Sequence, residues 1–199
     1  RLEREGWLER CPMTWGDGSL FLATRKGVLV LGLPLIPAST PAPTVWAHDS
    51  GCAWAAAWLT LRDREFLGQR EMLSRPDWSG QLHWRDRNSD KRSRHRPDLI
   101  GWANSRATLI EVELTGKSRG RLDAILKMYS PWVCSPEIRA LMYICSDHVE
   151  MRRIERAARR VGMSRGDLRL ELLDTIKEQT IAAYEQQRGR QPAPAIAGT

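Results

Sequence analysis

Two neighbouring segments decide the fold of this chain: RPDLIGW at residues 96–102 and TLIEVELTGK at residues 108–117. The second is an apolar run that predicts a buried strand, and it contains two acids, Glu111 and Glu113. Because strand side chains alternate between faces, both carboxylates point to one side of the sheet. The turn-rich linker between the segments predicts an antiparallel hairpin. Such a hairpin brings Asp98 beside Glu111.

The clustered carboxylates predict a metal site. A carboxylate inside a strand costs free energy unless a partner neutralises its charge. Two or three carboxylates at the edge of a sheet offer the hard oxygen ligands that Mg²⁺ prefers. Lys117 follows where the strand ends. The alternative is an ordinary solvated strand edge, since Glu-x-Glu is common there and Pro-Asp is a routine turn signal.

These residues resemble the core of the PD-(D/E)xK nucleases. That family pairs an Asp that follows a Pro with an acid-x-Lys triplet on the next strand. Pro97 and Asp98 match the first part, and Glu111 matches the acid. Glu113 stands where the family usually has Lys, and some restriction enzymes of the superfamily also have Glu at this position. Lys117 is then the candidate that supplies the missing positive charge.

A second resemblance is more specific. The run EVELTGKSRGRLDAILKMY at residues 111–129 is similar to the replication-relaxation family of actinobacterial plasmids and mobile elements. Members of that family look like a winged helix joined to a nuclease-like domain. The implied fold class is α/β: a PD-(D/E)xK restriction-endonuclease-like core, with an αβββαβ mixed sheet, preceded by the C-terminal part of a winged helix.

The resemblance also implies roles for the site residues. Asp98, Glu111 and the Val112 carbonyl would hold Mg²⁺ (or Mn²⁺), and Glu113 would be a ligand or general base. Lys117 would orient the attacking water or neutralise charge on the phosphate. The implied function is a Mg²⁺-dependent DNA endonuclease of plasmid or mobile-element replication, transfer or relaxation. The alternatives are a non-catalytic DNA-binding accessory protein and a transcription regulator that use the same fold as a scaffold.

The chain divides where prolines concentrate. Four prolines within residues 33–44 exclude a helix or a central strand, so we predict a linker at residues 33–47. Residues 1–32 are predicted to be a partial winged helix whose wing is a hairpin at residues 7–23; the alternative is a small hairpin packed on the main domain. Because the chain begins without Met inside an apparent helix end, we expect upstream residues to be absent. The nuclease-like domain is predicted at residues 48–174, and a C-terminal helix and disordered tail at residues 175–199.

The element pattern of the main domain follows from periodicity. Asp49 or Ser50 is expected to cap the first helix, and His48-Asp49 also resembles a His-Asp pair that opens this domain in the family. The remaining predictions are a first strand at 65–73, a mobile basic loop at 85–96, and helices at 118–129, 148–161 and 175–188, with strands at 139–145 and 167–173. The strand at 139–145 is expected to pair in parallel, because it follows a helix.

Charge favours a polyanionic partner, DNA. The net charge is +7 and the pI is about 9.7. A basic loop next to Asp98 suits a phosphate backbone, although a merely solvated loop is the alternative. The predicted nucleic-acid-binding residues are Lys91, Arg92, Arg94, Arg96, Arg119 and Arg121. The family setting adds other replication or conjugation proteins as partners and leaves a homodimer open.

The cysteines and hydropathy indicate the compartment. Cys11, Cys52, Cys134 and Cys145 are scattered and lack zinc-site spacing. Buried free thiols suit a reducing cytosol. No apolar run reaches membrane-spanning length. We therefore expect a cytoplasmic protein without a membrane partner.

Overall fold

The computed structural model describes residues 1–12, 19–32, 43–86 and 89–190. It divides into two compact units, Arg1–Ser50 and Gly51–Thr199. The predicted Pro-rich linker lies mostly outside the described residues, and the predicted disordered tail at 191–199 lies wholly outside them. The four predicted segments, 1–32, 33–47, 48–174 and 175–199, stay predictions.

The first unit contains a hairpin and a short helix. Strands β1 (Leu8–Pro12) and β2 (Ser19–Ala23) pair antiparallel, which confirms the predicted hairpin. Helix α1 (Arg25–Val30) follows, and the Thr24 hydroxyl caps it by accepting the Gly27 N–H at 3.1 Å. A Cβ at position 27 would collide with the Trp7 carbonyl, so glycine is required for this close approach. The winged-helix assignment of this segment stays a prediction.

The remaining elements build an α/β fold. In chain order they are α2 (Trp46–Thr60), β3 (Phe66–Gly68), β4 (Gly80–Asp86), β5 (Ser89–His95), β6 (Leu99–Ala103), β7 (Arg106–Glu113), α3 (Arg119–Val133), β8 (Ile138–Cys145), α4 (His148–Arg160), β9 (Leu168–Leu172) and α5 (Leu173–Arg190). The division between the two units falls within α2.

A mixed five-stranded sheet, in the order β3-β6-β7-β8-β9, forms the centre of the second unit. Strands β3, β6 and β7 pair antiparallel, whereas β7, β8 and β9 pair in parallel. The predicted αβββαβ order of a mixed sheet is therefore found as α2-β3-β6-β7-α3-β8, with the β4–β5 hairpin inserted after β3. The predicted hairpin of β6 and β7, the parallel β8 and the strand β9 are confirmed, and β9 lies at one edge of the sheet.

Helices cover both faces of the sheet. On one face α3 and α4 pack on Leu109, Leu141 and Tyr143. On the other face α2 and α5 pack on Ile110, Val112 and Ile144. The alternation along β7 thus places Glu111 and Glu113 on the face of α3 and α4. Their carboxylates lie in one layer, as the spacing predicted.

Three sequence predictions about where elements begin or end are wrong. The predicted first strand shortens to Phe66–Gly68, and a 3₁₀ turn at Glu71–Ser74 replaces its second half. Helix α2 begins at Trp46, so Asp49 lies in its first turn and is not its N-cap. Helix α3 continues past Pro131 to Val133, because Val133 is buried against the core and Pro131 removes only one amide donor in the last turn.

The turn between β6 and β7 contains strain that a single substitution should relieve. Ala103 pairs with Arg106 across a two-residue loop in which Asn104 (φ 51°) and Ser105 (φ 61°) are both left-handed. This is the geometry of a type I′ turn, which favours Asn followed by Gly. We expect Ser105→Gly to raise the free energy of unfolding by about 1 kcal/mol, measured by urea denaturation. Asn104→Gly is the matched control and should gain less, because Asn tolerates this region; an equal or greater gain there would contradict the explanation.

Candidate functional site

Three buried carboxylates meet where β7 approaches its end. Asp98, Glu111 and Glu113 expose only 8%, 1% and 2% of their surfaces. Carboxylates with so little exposure need partners that compensate for lost hydration. The partners differ for each of the three, and they come from different elements.

Asp98 is held directly against β7. Its backbone N–H donates to the Ile110 carbonyl at 2.9 Å, and its Oδ2 accepts the Val112 N–H at 2.8 Å. These two bonds bracket Glu111, so the hairpin places Asp98 beside it as expected. The Val112 amide thus positions Asp98, and the Val112 carbonyl stays a predicted metal ligand between the two glutamates.

Glu111 is anchored through one oxygen. The Tyr129 hydroxyl of α3 donates to Oε1 at 2.6 Å, and His95 Nε2 of β5 lies 2.9 Å from the same atom. Burial, followed by the charge of Glu111, raises the pKa of Tyr129 well above its usual range. Tyr129 therefore remains a hydrogen-bond donor. Since Oε2 takes part in neither contact, that oxygen is the one suited to a ligand.

Glu113 forms an ion pair with Lys117, which lies two residues before the start of α3. Burial raises the pKa of Glu113, Lys117 lowers it in part, and the nearby charges of Glu150 and Glu111 raise it further. Glu150 of α4 is itself buried and bound by Arg153 at 2.8 Å. Burial thus leaves Glu113 with a raised pKa, which suits a general base or acid.

A fully buried tyrosine on the neighbouring strand faces the same acids. Tyr143 pairs in register with Glu111, and its hydroxyl has no hydrogen-bond partner among the described residues. Burial raises the pKa of Tyr143, and the charges of Glu111, Glu113 and Asp98 add to the shift. A buried hydroxyl without a partner is costly. A hydrated divalent ion held by the carboxylates would supply one, so the donor set fits Mg²⁺ or Mn²⁺.

Asp98 also lies near a side chain of α2 that could bind a metal ion. The Cys52 thiol lies within 4.8 Å of its carboxylate, and His48 precedes Cys52 by one helical turn. Thiol and imidazole ligands suit Zn²⁺, whereas carboxylates suit Mg²⁺. The Cys52 thiol therefore offers Asp98 a neighbour of the kind that Zn²⁺ takes, and Glu111 offers one of the kind that Mg²⁺ takes.

The predicted basic loop at 85–96 is in fact a hairpin. Strand β5 pairs with β4 over seven residues, from Gly80↔His95 to Asp86↔Ser89. The sequence does not indicate this hairpin, because β5 is polar on both faces and shows no apolar alternation. The pairing partner β4 supplies the buried side chain, Leu82, which is 1% exposed.

The hairpin gathers the predicted nucleic-acid-binding residues. Lys91, Arg92 and Arg94 are exposed on β5, and Arg96 follows with its Nε buried and without a partner among the described residues. Arg121 of α3 lies 5.7 Å from the Trp84 ring of β4, so α3 brings Arg121 to the hairpin, and Arg119, two residues earlier, is exposed. Strand alternation places Lys91 on the side of the hairpin that carries Trp84 and His95, whereas Arg92 and Arg94 lie on the other side. We name these exposed basic residues of the hairpin and of α3, Lys91, Arg92, Arg94, Arg119 and Arg121, the basic surface. The contact between His95 and Glu111 joins the hairpin of β4 and β5 to the carboxylates.

Four residues of the site were not predicted: His95, Tyr129, Tyr143 and Glu150. Each lies on an element other than β7, and their packing brings them to the acids. The sequence around the residue could have suggested a role in the site for only two of them, His95 and Tyr129. His95 is an imidazole within a run of arginines and lysines, and Tyr129 lies on the helix that follows Lys117.

No protein-family model matches this chain, and neither the curated proteins nor the solved structures include a match. Among the helices within residues 1–12, 19–32, 43–86 and 89–190, none combines the length and apolar character needed to cross a membrane.

Proposed function

We propose that this protein is a Mg²⁺- or Mn²⁺-dependent DNA endonuclease with a PD-(D/E)xK-like site. The observation that carries the proposal is the layer of three buried carboxylates beside the Tyr143 hydroxyl, which has no partner among the described residues. His95 joins Glu111 to the hairpin that carries most of the basic surface. The resemblance to the replication-relaxation family supports a role on plasmids or mobile elements.

The residues divide the work of phosphodiester cleavage. Asp98, Glu111 and the Val112 carbonyl would hold the metal ion, which when bound activates water and stabilises charge on the phosphate. Glu113, whose pKa is raised by burial, would accept a proton from that water. Lys117 lies next to Glu113 and would place its ammonium group near the negative charge that develops on the phosphate.

The basic surface would bind the DNA backbone and direct it to the acids. Replacing Arg92 and Arg94 by Gln should weaken duplex binding and reduce the slope of log affinity against log salt by about 2, since each phosphate contact contributes about 0.9. Fluorescence anisotropy at several salt concentrations measures both quantities. The control is Arg159→Gln/Arg165→Gln, which removes the same charge from the Glu155 ion pairs. Equal salt slopes for the two double variants would contradict a role for the hairpin.

One observation favours a second candidate, a non-catalytic DNA-binding accessory protein. Glu113 occupies the usual lysine position, and the ion pair with Lys117 satisfies both side chains without a metal ion. The two functions separate in one experiment, incubation of supercoiled plasmid with the protein and Mg²⁺, Mn²⁺ or EDTA. Nicking that requires the metal supports the endonuclease. DNA binding without nicking under any of these conditions supports the accessory protein.

A further inference from the structure

A cavity of about 220 Å³ lies on the face of the sheet that α2 covers, opposite to the face of Glu111 and Glu113. It opens between the end of α2 and the first residues of β7, β8 and β9. Two tryptophans, Trp58 and Trp102, contribute to its walls, and none of its described lining residues is acidic. Its walls also carry four arginines: Arg62, Arg64, Arg139 and Arg169. We name this site the arginine cavity.

An irregularity of the sheet places one of these arginines. Ala107 of β7 pairs with Ile138, whereas the next residue, Thr108, pairs with Ala140, so Arg139 is an extra residue on β8. A bulge of this kind interrupts the ladder and redirects the side chain of the extra residue. Here Arg139 lines the cavity. Bulges are frequent next to functional sites because they aim a side chain in this way.

The positive charges of the cavity are not neutralised by ion pairs with the described residues. Arg62 donates to Gln179 Oε1 at 2.9 Å, and its guanidinium lies 4.4 Å from the Trp58 ring, so both of these partners are neutral. Burial and the neighbouring Arg64 lower the pKa of Arg62. The ion pairs within the described part of the chain involve other arginines, those at positions 119, 153, 159, 160 and 165. An anion in the cavity would relieve this repulsion.

We propose that the arginine cavity binds a terminal phosphate group, as carried by a nucleoside monophosphate or by the 5′ end of a DNA strand. Guanidinium groups match phosphate oxygens in charge and in the geometry of their N–H donors. A terminal phosphate carries a charge of about −2 near neutral pH and thus gains more from four cations than a backbone diester does. The cavity is smaller than the roughly 300–1,000 Å³ of most ligand sites, so it suits one phosphate with part of its nucleoside.

The test compares a short single-stranded oligonucleotide carrying a 5′-phosphate with the same strand ending in a 5′-hydroxyl, by fluorescence anisotropy in EDTA. The phosphorylated strand should bind about tenfold more tightly. Calorimetry with dAMP, deoxyadenosine and inorganic phosphate then separates the two sources. Affinity for dAMP equal to that for the phosphorylated strand indicates a free nucleotide, and much weaker affinity indicates a DNA end. Equal affinity for phosphate and hydroxyl ends, together with no preference for dAMP over deoxyadenosine, would overturn the proposal.

The variant that tests the location is Arg139→Gln/Arg169→Gln, since both side chains are exposed and the fold should tolerate the change. It should remove the preference for the phosphorylated strand. The matched control, Arg152→Gln/Arg156→Gln, removes the same charge from exposed positions on α4 and should keep the preference. Loss of the preference in both double variants would show general electrostatic attraction and refute a defined site.

This inference does not depend on the proposed nuclease activity. A chain with Asp98→Asn and Glu111→Gln should keep the phosphate preference even though it cannot hold the metal ion. Failure of nicking and failure of terminal-phosphate binding are therefore separate results. Thermal unfolding of every variant, followed by circular dichroism, identifies any change that acts through the fold.

Discussion

Asp98→Asn or Glu111→Gln is expected to reduce metal-dependent nicking of supercoiled plasmid by about 100-fold or more, because each change removes a buried anionic ligand. Both amides are close in shape to the acids they replace. The amide oxygen introduced at position 98 would still accept the Val112 N–H, and the one introduced at position 111 would still accept the Tyr129 hydroxyl. The fold should therefore persist. Gel assays of nicking with Mg²⁺, Mn²⁺ or EDTA measure the effect.

DNA binding by the same variants separates chemistry from recognition. Their affinity for duplex DNA should be equal to the parent's or slightly higher, since negative charge near a phosphate backbone opposes binding. Glu155→Gln is the matched control, because Glu155 pairs with Arg159 and Arg165 and takes no part in the carboxylate cluster. It should nick at the parental rate. If Asp98→Asn nicks as fast as the parent, the assignment of the metal site is wrong.

Metal binding provides a readout that does not require cleavage. A ligand that binds only the folded chain raises the unfolding midpoint as its concentration increases. Mg²⁺ should therefore stabilise the parent and the Glu155→Gln control, but not the variant that carries both Asp98→Asn and Glu111→Gln.

Lys117→Met is expected to cause the largest loss of stability, about 3 kcal/mol in the free energy of unfolding near neutral pH. The change leaves the Glu113 carboxylate, 2% exposed, without its cation. Removing one partner of a buried ion pair leaves an uncompensated charge, which costs more than the pair contributes. Urea denaturation over a series of pH values measures this loss.

The loss of stability in Lys117→Met should depend on pH, and the pKa of Glu113 determines the direction of this dependence. The pKa of Glu113 is already raised in the folded state by burial, and Lys117→Met raises it further by removing the cation that lowers it. Because the pKa of Glu113 is higher in the folded than in the unfolded state, the free energy of unfolding falls as the pH rises. The fall begins near the pKa of the unfolded state, 4.5, and ends above the pKa of the folded state. Below pH 4.5 the carboxyl group is protonated in both states, and the difference between variant and parent should vanish.

The double variant Glu113→Gln/Lys117→Met supplies the control for this prediction. It removes the charge together with its partner and should recover most of the lost stability, with little dependence on pH. A double variant as unstable as Lys117→Met would show that the lysine acts by packing and not by charge. A single variant as stable as the parent at every pH would contradict the pairing.

The spacing of apolar residues was sufficient to predict the elements that have a hydrophobic face of their own. Helix α3 has apolar residues at helical spacing, and β7 is a continuous apolar run broken only by its acids. The hairpin of β6 and β7 follows from the same run and its short turn. The strand β5 could not be found in this way, because its stability comes from hydrogen bonds to β4 and from the partner's buried Leu82.

The candidate site was likewise predictable only in part. Asp98, Glu111, Glu113 and Lys117 lie within one hairpin and the residues after it, so strand alternation suffices to bring them together. His95, Tyr129 and Tyr143 reach the acids from β5, α3 and β8. Their approach depends on how helices and strands pack, and a buried Tyr resembles any other core aromatic when only its spacing is known.

The amino-acid sequence by itself determined the α/β class and the shared face of Glu111 and Glu113, because periodicity and alternation act over a few residues. The αβββαβ order was expected in part from the family resemblance, which settled the ambiguous strands. Tertiary structure decided which atoms remain for a ligand. It anchored Glu111 through Oε1, paired Glu113 with Lys117 and left the Tyr143 hydroxyl without a partner among the described residues. It also aimed Arg139 into the arginine cavity through a one-residue bulge. These outcomes depend on register and packing between elements distant in the chain, and no local pattern of residues records them.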